Sequence, residues 1–174
     1  MEQTPQQLFD AAFDNYIEMS CVLRDDLKAL QKTQSVEQHW KRNFIRASAA
    51  LFEGYTYCLR EMCMVSFKCE APKLNKEQTA VLKDERNFSA QDRIRLTLRA
   101  AYRLFELEPA PEFGDAGWTR AQGIFQKRHL LMHPKTATDL AVDDRCWIKS
   151  RDGVAWLLGQ FIQFFVLLQR KVKA

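Results

Sequence analysis

Glycine and proline are scarce in this chain, six and five among 174 residues. So little punctuation argues against loop-rich and collagen-like classes and predicts long uninterrupted elements. Cysteine is present in an odd number, five, which argues against a complete disulfide framework. No strong charge of one sign is present either. The net charge of +4 permits contact with a phosphate backbone without demanding it. The most apolar stretch, Val154 to Leu168, contains Gln160 and Gln163 and is too short to span a bilayer comfortably. It reads as a buried core helix, and no membrane partner is expected. The opening MEQTPQQLFD is polar and acidic, with no basic start or apolar run, which predicts no secretory leader. A Gly-rich phosphate loop, a zinc-ligand cluster and a Gly-x-Ser-x-Gly elbow are all lacking. Hydrolases of those classes have little support, and neither a metal nor a cofactor is expected.

What is present is an ordinary globular balance, 47% hydrophobic and 28% charged, and enough length for one domain, residues 1–174, with a proper core. Cys58, Cys63 and Cys69 fall on or just after one helical stretch. At about 100° per residue, Cys63 points about 140° away from Cys58, and Cys69 returns to that side about three turns later. That is too far to share a metal. Reduced thiols in or near the core of a cytoplasmic protein are the expectation.

Thr4 before Pro5 is a helix start, and Leu8, Phe9, Ala12, Tyr16, Met19, Leu23, Leu27 and Leu30 recur at helical spacing. The first helix therefore spans about 5–32. Ser35 with Gln38 is a capping-box pattern opening a second long helix to about Phe67. A polar stretch from Lys68 to Phe88 holds one short helix capped by Asn75. Ser89 opens the next, which runs to about Leu107. Residues 108–117 form a loop by composition. A helix over about 117–132 should stop near His133, because Pro134 disfavours helical backbone at the residue before it. The last helix begins between Asp143 and Asp152. No alternating apolar run predicts a strand, so the fold class is all-α, a bundle of five to six helices with long up-and-down members.

One residue breaks the pattern of the fifth helix. Ala121, Ile124, Phe125, Leu131 and Met132 gather into an apolar stripe, and Arg128 projects from about its middle. A guanidinium cannot lose its proton, so burying it unpaired costs several kcal/mol. Either it meets a buried carboxylate, or this face lines a cleft or subunit interface that admits an anion. His129 and His133, two of the three histidines, stand about one turn apart beside it. The bland reading is a basic helix C-terminus favoured by the helix dipole, with Arg128 snorkelling or salt-bridged. Lys127 and Lys135 add positive charge where a phosphate could dock. On the second helix, Phe44, Leu51, Tyr55, Cys58, Leu59 and Met62 form an apolar face, with Arg42, Arg46, Glu53, Arg60 and Ala49 opposite. That opposite side reads as a solvated charged face. The sharper reading has Arg42 and Arg46 guiding an anion, and Glu53 either pairing with Arg128 or acting as an extra acid–base group. Trp40, Trp118, Trp147 and Trp156 are of a type that stacks bases, yet tryptophans in helical proteins are mostly core or partly buried.

The run Arg128-His129-Leu130-Leu131-Met132-His133, followed by Pro134 and Lys135, resembles the Arg-x4–6-His signature of the HEPN superfamily. RNFIRASAALFEGY, from Arg42 to Tyr55, resembles that family's early long helix, and the apolar stretch after Gly153 is compatible with its closing helix. In order, the resemblance covers most of the chain, with one sharp motif. It implies a HEPN-like bundle and a metal-independent endoribonuclease acting as a homodimer, the two motifs facing each other across a cleft. RNA supplies its own nucleophile, the 2′-hydroxyl. His133 would be general base or acid, since imidazole titrates nearest neutrality. Arg128 would clamp the scissile phosphate and stabilise its growing charge. His129 would orient the phosphate or His133. Lys127, Lys135, Arg42 and Arg46 would contact RNA. The resemblance further implies a setting in a prokaryotic toxin or antiphage system, with a neutralising or regulatory protein partner. The alternative is a non-catalytic HEPN-like module that binds RNA, a nucleotide or a protein. A purely structural bundle would leave Arg128 unexplained unless a buried carboxylate answers it.

Overall fold

The computed structural model describes residues 3–32, 37–69, 74–85 and 87–173. Among these residues all regular structure is helical and no strand occurs, so the protein is an all-α helical bundle. The order is α1 (Pro5–Lys32), α2 (Gln38–Cys69), α3 (Lys76–Lys83), α4 (Ala90–Leu104), α5 (Ala116–Met132), a short 3-10 helix (Ala137–Leu140) and α6 (Asp144–Lys173).

The starts follow capping chemistry. The Thr4 hydroxyl accepts from the Gln7 N–H (3.3 Å), and the Gln7 side chain accepts from the Thr4 N–H (2.9 Å), a reciprocal box that ties off two orphan donors. Asn75 and Gln78 make the same exchange at α3, and Ser89 accepts from the Asp92 N–H at α4. Ser35 lies outside the described residues. α4 stops three residues short of the expected end, at Leu104, where Glu106 takes a left-handed backbone (φ 50°) that no helix continues.

Two compact units divide the described residues. One comprises those of Met1–Ser20, Glu53–Pro111 and Gln160–Ala174; the other, Cys21–Phe52 and Glu112–Gly159. The first has an aromatic core. Tyr16 packs on Tyr55 (4.9 Å between centroids) and on Phe165 (4.3 Å), Phe161 meets Tyr55 edge-on, and Tyr102 and Phe105 both meet Phe164. The Ser20 and Tyr55 hydroxyls share a hydrogen bond. Cys58 and Cys63 are buried free thiols, and burial raises both pKa values, so they are chemically quiet there. The Cys69 side chain lies outside the description.

α2 departs from the expected half-solvated helix. Phe44, Leu51, Tyr55, Cys58, Leu59 and Met62 are buried, and so are Ile45, Ser48, Ala49, Phe52, Thr56 and Cys63. Arg60, expected in solvent, has a side chain only 15% exposed and pairs with Asp84 (3.2 Å). Asp84 also accepts from Arg93 (2.6 Å), and these two guanidinium groups, Arg93 first, hold its pKa below the usual value. Two apolar faces on one helix overrode the charge pattern.

The second unit is built from the end of α1, the first half of α2, α5, the 3-10 helix and the start of α6. Here α5 and α6 approach closely at two glycines. A Cβ on Gly153 would stand 2.7 Å from the Arg120 backbone, and one on Gly117 would run into the Trp156 ring. The Trp156 indole N–H donates to Asp115 (3.0 Å), whose other carboxylate oxygen caps α5 at the Trp118 N–H (2.7 Å).

α6 corrects the reading of a buried core helix. Val154, Leu157, Phe161 and Phe164 are buried along one line, but Ile148, Ile162 and Val166 are exposed. Spacing by three and four residues consumes one face, and the remaining apolar residues point outward. Among the described residues α6 alone is long and apolar enough to cross a membrane.

Candidate active site

α5 presents the run from Arg128 to His133 at its C-terminal end. Gly117, Ala121, Ile124, Arg128 and Leu131 follow one another at three- or four-residue steps; all are buried except Arg128, which is half-buried and engaged within the protein. The expected stripe is thus present with its arginine, save that Met132 turns out to solvent (49% exposed) together with Leu130 (40%). Met132 is the last residue of α5, and no element among the described residues covers that side.

His133 is the C-cap, with φ −131° and ψ 57°, and its N–H donates to the His129 carbonyl (3.0 Å). The helix therefore stops where Pro134 requires. Both imidazoles are exposed, and their ring centroids lie 5.2 Å apart. A half-buried guanidinium and two exposed imidazoles share one helix end.

The surrounding cations are arranged differently from expectation. Arg46 donates to the Leu131 carbonyl (3.0 Å), Arg42 to the Leu140 carbonyl (3.3 Å) and Lys127 to the Asp139 carbonyl (2.8 Å). These three hold the α5 end and the segment after it, because a helix leaves its last four carbonyls without internal partners. Lys135 gives its backbone N–H to Asp139 while the residue itself stays exposed. Glu53 is half-buried, engaged within the protein, and belongs to the other compact unit.

Sequence reasoning missed Asp139. Its carboxylate accepts the N–H groups of Lys135 and Thr136, both at 2.9 Å. Those two bonds, Lys135 first, hold its pKa below the ordinary 3.8. Asp139 thereby fixes the turn that follows His133. The available signal was Thr136 followed three residues later by an acidic residue, a helix-start pattern. Lys41 was missed too. Only 4% exposed, its ammonium meets Asp144 at 2.7 Å and lowers that carboxyl's pKa. Among the described residues no group of three or more His, Cys, Asp or Glu is disposed to hold a metal ion. No family model, curated protein or solved structure matches the chain.

Proposed function

We propose that the protein is a metal-independent endoribonuclease of the HEPN type, working as a homodimer around Arg128, His129 and His133. The observation that carries this reading is the half-buried Arg128 beside two exposed imidazoles 5.2 Å apart at one helix end. In the proposed reaction one imidazole takes the proton of the RNA 2′-hydroxyl. That oxygen attacks the adjacent phosphorus, and the 5′-oxygen leaves with a proton from an acid. The products are a 2′,3′-cyclic phosphate and a 5′-hydroxyl. Arg128 neutralises the charge that builds on the phosphoryl oxygens. Exposed Met132 lies within the run, which suits a face covered by a second copy. A role in a prokaryotic toxin or antiphage system, with a neutralising or regulatory partner, rests on the family resemblance alone.

The second reading, a non-catalytic RNA-, nucleotide- or protein-binding module, draws on one observation. Arg42, Arg46 and Lys127 donate to carbonyls, so three of the four cations expected to meet RNA already serve the fold.

Incubating pure protein with structured and single-stranded RNA in EDTA separates the two. The proposal expects 2′,3′-cyclic ends, with rates falling about 100-fold or more in His133→Ala and in Arg128→Ala. Intact RNA, with both variants folded like the parent, overturns it. Light scattering should show a dimer, and a strict monomer at high concentration removes the shared cleft.

A further inference from the structure

Between α5 and the start of α6, within one compact unit, lies an open groove of about 750 Å³ lined by Arg120, Gly123, Gln126, Asp143, Arg145 and Lys149, among others. Its charges are not balanced. Arg145 and Lys149, one turn apart on α6, have no ion-pair partner among the described residues, whereas Arg120 has a long contact to Asp152 (3.8 Å). Asp143 is the acidic member, and its carboxylate is committed to the α6 start, accepting from the Cys146 N–H (2.6 Å). Amide donors at a helix N-terminus offset that charge.

Gly123 is the second observation. Glycine inside a helix costs about 1 kcal/mol relative to alanine, and the fold gives no return for it here. Its φ is not left-handed, and an added Cβ would meet nothing within 4 Å. Gly117 and Gly153 are different, since both lie under neighbouring atoms. Gly159 on α6 is open in the same way but lines no part of this groove, so it is the place of Gly123 in the groove lining that suits close approach by something outside the fold.

The third observation is direction. Gly123, Gln126, Leu130 and His133 are spaced by three or four residues and so fall on one side of α5. The groove lining on α5 runs from Ala116 to Gln126, ten residues or about 15 Å at about 1.5 Å each, and His133 lies seven residues further on. A single small anion needs no such length.

We propose that this groove is a phosphate track for a single polynucleotide strand, running along α5 from Arg120, Arg145 and Lys149 to the edge that carries His133. The direction toward His133 rests on the ribonuclease reading; binding in the groove does not. Recognition is through backbone phosphates, so single-stranded RNA and DNA of equal length bind comparably.

The test is fluorescence anisotropy with short labelled single-stranded RNA and DNA over a salt series, with RNA integrity checked on a gel. Arg145→Gln/Lys149→Gln should weaken binding about tenfold or more at low salt. It should also reduce the log–log salt slope by about 1.4, two contacts at about 0.7 each. Gly123→Gln should melt about 2–4 °C higher yet bind more weakly, while Gly159→Ala, at an open position outside the groove, should gain similar stability with unchanged affinity. Parent-like affinity and slope in the double variant overturn the track, even if RNA is cleaved. Failure of the parent to bind either strand also overturns it. Groove-dependent binding without cleavage supports the track and counts against the ribonuclease reading instead.

Discussion

Two stretches between α5 and α6 use the same residue types to opposite ends. At the close contact, Gly117 lies under the Trp156 ring and Gly153 touches the Arg120 backbone, and near the α5 end Arg46 and Lys127 reach carbonyls. Around the groove, Gly123 lies open and Arg145 and Lys149 have no ion-pair partner among the described residues. A glycine or an arginine is therefore not informative by type. What marks a structural position here is that an atom of the fold already occupies the place that residue serves; an open position such as Gly123 or Gly159 is left without that reason, and only Gly123 lines the groove.

The largest expected effect is at the close approach. Gly153→Ala forces a methyl against backbone at 2.7 Å, and overpacking of that kind should cost about 2–3 kcal/mol, read as a melting temperature about 5–10 °C lower. An unchanged melting temperature would erase the contrast with Gly123. Next comes the pair of arginines. Arg46→Ala removes a charged hydrogen bond to the α5 end and should cost about 1.5–3 kcal/mol, whereas Arg145→Ala should stay within about 0.5 kcal/mol of the parent. Equal losses in urea unfolding would show that the two cations are not used differently.

The smallest effect concerns Asp139. Its folded pKa lies below the ordinary 3.8 because the Lys135 and Thr136 N–H groups favour the charged form. The stability this contributes is complete above about 3.8 and fades as pH falls through the lowered value. Parent and Asp139→Ala should therefore differ near neutrality and converge in acid, by thermal melting across a pH series. A gap that persists in strong acid would show that the turn after His133 does not depend on that carboxylate.

Local chemistry made much of the fold legible. Thr4 with Pro5, Asn75 and Ser89 mark starts, and Pro134 marks a stop, because caps and proline act within a few residues of themselves. The position of Arg128 among apolar neighbours was legible for the same reason, one helical period being enough to expose it. The commitments of Arg42 and Arg46 were not. Each reaches a carbonyl more than eighty positions away in sequence, and no pattern within a helix encodes its distant partner. Arg60 was misread likewise, since its charge suggests solvent while Asp84, set by a separate helix end, holds it in place. The apolar content of α6 was plain, but its division between a buried line and exposed Ile148, Ile162 and Val166 depends on which neighbours arrive.

The seat of Trp156 has a practical use. Its indole N–H points at a carboxylate, its ring covers Gly117, and Trp118 lies 6.1 Å away. An indole held against a fixed negative charge emits at a wavelength set by that local field. Loosening the joint between α5 and α6 would shift the emission before the chain unfolds. Because the chain holds four tryptophans, the difference in emission between the parent and Trp156→Phe is the gauge of that joint.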